Sequence, residues 1–164
     1  IGRKGSKGFP NKNIYKINNK MLFEHPLYEC KKSKFIDKIF VATDSKIIRK
    51  KAKEYNAQFI QRPKKLNDSK ALGEDVYHYV VKEITKKHKN IELFVLLFAN
   101  SITLSTKMLD DPISQIRKNP QADSIVSVYQ VDDEHPGRMY NIVNNNLKPL
   151  FPSLISLSAS LLEQ

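Results

Sequence analysis

The run Glu92-Leu93-Phe94-Val95-Leu96-Leu97-Phe98 constrains the fold more than any other stretch of the chain. A strand points successive side chains to opposite faces. An uninterrupted apolar run therefore needs cover on both faces, as in a parallel sheet packed between helices. The rest of the pattern supplies that cover. Phe23, Leu27 and Cys30 recur at helical spacing and predict a helix over 23–34, with Pro26 tolerated near its start. Val76, Val80 and Ile84 line one face of a second helix over 74–87. Ser105 reads as the N-cap of a third over 106–118, in which Pro112 predicts a break or kink. Strands rich in Ile, Phe and Val are expected over 35–42, 57–60 and 122–128. Helices alternating with apolar strands predict an α/β, three-layer sandwich with a mostly parallel, Rossmann-like sheet.

The chemistry of the chain concentrates at its start. Gly2, Gly5 and Gly8 are three of only five glycines, and Arg3, Lys4, Lys7 and Lys12 stand among them. Glycine lets backbone approach a ligand closely. Successive backbone N–H groups form a concavity that suits phosphate oxygens, and Arg and Lys add full charges to it. Ser6 and Asn13 are neutral donors. The stretch has neither G-x-x-x-x-G-K-[ST] nor G-x-G-x-x-G. Two readings stand on residue type alone: a loop for a polyphosphate nucleotide, or a basic surface turn.

Position narrows the choice. Ligands of open α/β sheets bind at the carboxyl ends of the strands. The glycine stretch, Thr43-Asp44-Ser45, Arg62 and Ala99-Asn100 all follow predicted strand ends, so they are expected to meet in one crevice. Thr43-Asp44-Ser45 also reads as a plain helix cap, and Arg62 as an extended residue held out of the helical region by Pro63. His78 has no second His or Cys at ligand spacing and reads as a packed or partly exposed histidine.

The net charge of +11 raises nucleic acid as a partner. The lysines are dispersed over every segment, and aromatic residues do not alternate with them as a single-strand groove requires. No nucleic-acid partner is therefore expected. No apolar run reaches the roughly 18 residues of a membrane span, so no membrane partner is expected either. One cysteine, Cys30, fits a reducing, cytoplasmic setting.

Arg3-x-Gly5-Ser6-Lys7-Gly8-x-Pro10-x-Lys12-Asn13 resembles the N-terminal signature of the cytidylyltransferases that make CMP-sialic acid and related CMP-sugars, A-R-x-G-S-K-G-[IL]-P-x-K-N. Further segments resemble the same family: Ala42-Thr43-Asp44-Ser45, Arg62-Pro63, Ala122-Asp123-Ser124-Ile125-Val126-Ser127-Val128, Glu134-His135-Pro136 and Leu147-Lys148-Pro149-Leu150-Phe151-Pro152. The resemblance implies a nucleotidyltransferase fold and a reaction of CTP with a sugar acid that releases pyrophosphate. It implies catalytic roles for Arg3 and Lys12 on the phosphates. Gly5, Ser6, Lys7, Asn13, Arg62 and Gly73 would bind nucleotide, and Asn100 and Ser101 the acceptor. Mg²⁺ is the implied cofactor. The sequence departs from the family at Gly73, where a serine touches the base, and at Ala99-Asn100-Ser101-Ile102-Thr103, where the family reads L-L-Q-P-T-S-P-L. The family's D-x-D metal segment has no counterpart, so the metal ligands are unassigned. The related alternatives are another sugar acid or nucleotide, or a nucleotide-binding relative without catalysis. A homodimer through 134–146 is a further implication.

The expected domain is 1–152, with its first strand clipped before Ile1 and a C-terminal part missing. Residues 153–164, rich in Ser and Leu, are an unassigned tail.

Overall fold

The computed structural model describes residues 2, 8–67, 71–130 and 139–152. The chain divides into two compact units, Ile1–Asp123 and Ser124–Gln164.

In the first unit a short hairpin, β1 (Lys16–Ile17) and β2 (Lys20–Met21), turns through Asn18 and Asn19, both in the left-handed region. Helix α1 (Glu24–Lys32) follows and buries Leu27 and Cys30. Strand β3 (Phe40–Thr43) leads through Ser45 into helix α2 (Lys46–Ala52). The Ser45 hydroxyl accepts the Ile48 N–H, so the cap reading of this junction is borne out. Strand β4 (Gln58–Gln61) pairs in parallel with β3, Phe40 opposite Gln58 and Thr43 opposite Gln61. Helix α3 (Gly73–Lys87) buries Val76, Val80 and Ile84. Helix α4 (Thr106–Lys118) is capped by Ser105, whose hydroxyl accepts the Met108 N–H.

The layers follow from β3. Val41 packs on one side with Phe23 and Leu27 of the α1 segment and with Ile48 and Ala52 of α2. Its neighbour Ala42 packs on the other with Leu66 and the Val76, Val80 and Ile84 stripe of α3. Helices thus cover both faces of one strand, which is the α/β sandwich the alternation predicts. Helix α4 is tied to α1 by polar groups. Glu29 accepts the Thr106 N–H at 2.8 Å and the Thr106 hydroxyl, and the Ser33 hydroxyl donates to Asp110.

Three expectations need correction. Among the described residues no ladder is assigned over 92–98, and Phe94, Val95, Leu96 and Phe98 are each about half exposed instead of buried on two faces. The run is separated from 35–41 by a cavity of about 510 Å³, so its backbone does not reach β3 to form a ladder. Parallel pairing is accordingly limited to β3–β4 among the described residues. The predicted strand over 122–128 also has no ladder, and Val126 and Val128 are exposed. Strand propensity alone does not supply partners for the backbone. Last, α4 runs unbroken through Pro112. The carbonyl that loses its donor belongs to Met108, an exposed residue, where water can replace the lost bond.

The second unit contains a hairpin of β5 (Tyr140–Val143) and β6 (Asn146–Pro149), turned by Asn144 and Asn145 in the left-handed region.

Candidate functional site

The end of β3, Ala99 and Asn13 meet at Gly2. Its N–H donates to the Ala42 carbonyl of β3 at 3.4 Å. A Cβ on Gly2 would lie 2.8 Å from the Ala99 Cβ and 3.2 Å from the Asn13 side-chain nitrogen. Only a residue without a side chain fits between those neighbours. Gly2 therefore ties three segments at one point: the end of β3, the turn after the apolar run, and the 3-10 turn at Lys12–Ile14.

That turn is built locally. Asn11 takes a left-handed conformation, the Lys12 N–H bonds to the Phe9 carbonyl, and the Ile14 N–H bonds to the Asn11 carbonyl. Asn13 is buried, and its carbonyl accepts the Phe23 N–H at 3.1 Å. Lys12 beside it is half-buried at the surface. Asn13 thus anchors the turn, and Lys12 is the member of the pair available to a ligand.

Glu24 secures the same region from below. It is buried, accepts the Met21 N–H and the Tyr55 hydroxyl at 2.8 Å each, and lies 3.7 Å from the Lys51 ammonium. Burial, and next the bond to Glu24, push the Tyr55 hydroxyl pKa upward, so this group stays a proton donor. Sequence reading missed Glu24. Its only signal is an acidic residue in the first turn of a helix, which is ordinary.

The β3–β4 register places Asp44 and Arg62 at adjacent strand ends, each one residue beyond its strand. Thr43, just before, is fully buried and its hydroxyl accepts the Ser45 N–H at 3.1 Å. Arg62 is buried as well, and its guanidinium donates to the Leu66 carbonyl, closing the 3-10 turn Lys64–Leu66. Asn100 and Ser101 lie in the turn after the apolar run, where the Ser101 N–H bonds to the Phe98 carbonyl at 3.3 Å. Gly73 opens α3 at an exposed position, and a Cβ there would meet the Tyr77 hydroxyl at 3.2 Å. His78 is exposed. Arg3, Gly5, Ser6 and Lys7 lie outside the described residues. Among the described residues no three His, Cys, Asp or Glu side chains gather as a metal site.

A family model described as cytidylyltransferase matches residues 2–148. The chain belongs to the cytidylyltransferase family. This cytidylyltransferase-family chain is 32% identical over 126 residues to a Helicobacter pylori protein named pseudaminic acid cytidylyltransferase and UDP-2,4-diacetamido-2,4,6-trideoxy-beta-L-altropyranose hydrolase, covering 76% of this chain and 24% of that one. It is 28% identical over 137 residues to an N-acylneuraminate cytidylyltransferase of Streptococcus agalactiae, covering 82% of this chain and 32% of the relative. The chain thus spans about a quarter to a third of the length of these curated relatives. A solved structure of CMP:2-keto-3-deoxy-manno-octonic acid synthetase complexed with CTP superposes with a TM-score of 0.56 at 19% identity, over 73% of this chain and 46% of that one. That likeness shows the fold: the α/β nucleotidyltransferase fold is the one this cytidylyltransferase-family chain adopts.

Proposed function

We propose that this chain is the nucleotide-handling portion of an enzyme that joins CTP to a sugar acid of the nonulosonic type, giving a CMP-sugar and pyrophosphate. The observation that carries the reading is the position of Gly2. The basic, glycine-rich stretch starts at the carboxyl end of β3, beside the turn that holds Asn100, which is where an α/β sheet places its ligand.

In the proposed step a hydroxyl oxygen of the sugar acid attacks the α-phosphorus. A new P–O bond forms, the bond from the α-phosphorus to the bridging oxygen breaks, and pyrophosphate leaves. The hydroxyl proton passes to solvent. Such chemistry needs positioning and neutralisation of phosphate charge more than covalent participation by the protein. Arg3 and Lys12 take that role, with Gly5, Ser6 and Lys7 on the nucleotide. Asn13 shapes the entry to the loop through its burial against Gly2. Arg62 and Gly73 belong to the base side, and Asn100 and Ser101 to the acceptor side. CTP comes as its Mg²⁺ complex, the usual form of a polyphosphate. The described residues gather no carboxylate set for the ion, and no step is assigned to it.

The domain of this reading is 1–152, in the cytoplasm, and a second copy of the chain pairs with it through 134–146, of which 134–138 lie outside the described residues. No helix among the described residues is long and apolar enough to cross a membrane. The replacement of a base-contacting serine by Gly73 favours one second reading, a relative that takes another nucleotide.

Thermal shift with CTP, UTP, GTP and ATP in the presence of Mg²⁺ separates the two. A ligand at about 100 times its Kd stabilises by roughly 2.7 kcal/mol. CTP alone is expected to do so; equal shifts from all four would leave only a generic phosphate site. In the full-length enzyme Lys12→Ala should lower pyrophosphate release on the order of 100-fold, with stability changed by less than about 0.5 kcal/mol. Wild-type turnover in that variant would reduce the stretch to a basic turn.

A further inference from the structure

We propose that Glu29 is a positioning residue for the sugar acid. By holding the start of α4 it fixes the far end of the segment 100–105, and so sets how well that segment meets the sugar acid. The inference rests on the reading of Asn100 and Ser101 given above.

The segment has little structure of its own. Residues 100–105 form neither helix nor strand, and Asn100, Ile102 and Thr103 are exposed. The Ser101 N–H bonds to the Phe98 carbonyl at 3.3 Å, and the Ile102 N–H to the Asn100 carbonyl at 3.1 Å. These bonds curl its first residues and leave the rest to be placed by whatever holds its two ends. Ordering a loop costs conformational entropy, which anchors at the ends reduce.

Both ends rest on α1. At the near end, Ala99 is buried in the core cluster that includes Phe23 and Leu27, and it lies against Gly2. At the far end, a single carboxylate oxygen of Glu29 accepts both the N–H of Thr106, at 2.8 Å, and its hydroxyl. Thr106 is the first residue of α4, whose opening N–H groups have no acceptor within the helix. A full negative charge meets one of them there, and charge-assisted bonds are stronger than neutral ones. The Thr106 hydroxyl, more than any other contact, holds the Glu29 pKa below its ordinary value, so the clamp stays charged at neutral pH. Lys32, 3.2 Å from Glu29 and half exposed, adds little.

The near anchor is apolar packing, whereas the far anchor is one carboxylate. Removing the carboxylate frees the end of the segment without opening the core. An arrangement populated only part of the time weakens apparent affinity by that fraction, and a saturating ligand restores it. The effect therefore falls on the KM for the sugar acid. It spares kcat and the KM for CTP.

The test compares Glu29→Gln, Thr106→Val and Thr106→Ser in the full-length enzyme, with Ser33→Ala as a control. Ser33 donates to Asp110, about one turn further along α4, so its loss loosens the same pair of helices away from the segment. Pyrophosphate release is measured with CTP and a panel of nonulosonic acids, N-acetylneuraminic acid among them, alongside amide exchange over 99–106. Glu29→Gln and Thr106→Val are expected to raise the KM for the sugar acid on the order of tenfold. Exchange over 100–105 should quicken, while kcat and the KM for CTP stay within about twofold. Thr106→Ser keeps the hydroxyl and should match the wild type, as should Ser33→Ala. An unchanged KM for the sugar acid in Glu29→Gln, an equal rise in both KM values, or the same rise in Ser33→Ala would overturn the proposal. Should Glu29→Gln fail to fold, Thr106→Val, which removes one donor only, decides by the same criteria. A wild-type enzyme that releases no pyrophosphate with any of these acids overturns the reading of the site and this role with it. Wild-type turnover with an unmoved KM in the variants overturns the role of Glu29 alone.

Discussion

Glu24→Ala should be among the most damaging single substitutions near the candidate site. The carboxylate is 4% exposed and accepts two hydrogen bonds, from the Met21 N–H and the Tyr55 hydroxyl. Alanine leaves both donors without that acceptor. Each buried unsatisfied group costs about 1–3 kcal/mol, so two give roughly 2–6 kcal/mol; both donors are only part-buried, which puts the loss in the lower half of that range, about 3 kcal/mol. The Lys51 contact adds little, because that ammonium is partly exposed. A loss of about 3 kcal/mol lowers the Tm of a chain this size by roughly 6–12 °C. Glu24→Gln keeps one carbonyl acceptor and should fall between the two. Urea unfolding of Glu24→Ala, Tyr55→Phe and the double variant measures the coupling. The Tyr55→Phe loss should shrink by about 1–2 kcal/mol once Glu24 is gone. An exposed first-turn carboxylate would instead cost within about 0.5 kcal/mol on removal. Such a small loss would refute the buried network.

Cys30 should resist alkylation. Burial, helped by the neighbouring Glu29 charge, pushes its pKa up to about 11. Labelling of the native protein should stay slow from pH 7 to 9 and become fast in urea; native labelling at the unfolded rate would contradict this. Glu29 has its pKa held below the ordinary 4.5, first by the Thr106 hydroxyl, against the opposing effect of burial. A carboxyl lowered in the folded state adds stability above its unfolded pKa and loses it as pH falls through the folded value. Glu29→Gln should therefore flatten the stability decline below about pH 4.5; an unchanged acid limb would count against the Glu29–Thr106 tie. Ile142 and Leu147 are register partners on one hairpin face and both strongly exposed. If a second copy covers that face, replacing both by lysine should halve the mass seen by light scattering and leave the CTP shift intact.

The helices were legible because their information is local. The Val76, Val80, Ile84 stripe and the caps at Ser45 and Ser105 depend on residues three or four apart. The run at 92–98 was misread because a strand is a relation between distant segments, and apolar composition names no partner. The break expected at Pro112 does not occur for a related reason: a proline's cost depends on whether water can reach one carbonyl. At the candidate site, the approach of the β3 end and Ala99 to the start of the glycine stretch was legible from chain position. The tight fit of Gly2 between Ala99 and Asn13 was not, since only the folded backbone sets that distance. Glu24 was invisible because helix starts commonly carry an acid.

The described turns reverse handedness at six non-glycine positions, and every one is an asparagine: 11, 18, 19, 56, 144 and 145. All six are exposed. Burial would mark them as freely variable, since surface substitutions usually change stability by no more than about 0.5 kcal/mol. Chirality marks them otherwise. A left-handed backbone costs an ordinary L-residue roughly 1–2 kcal/mol, a strain asparagine relieves through its short polar side chain. A scan of every surface position to alanine should therefore show intolerance at these six positions, two single sites and two adjacent pairs, that exposure does not explain. A map of tolerance for this chain has to be drawn from backbone angles as well as from accessibility.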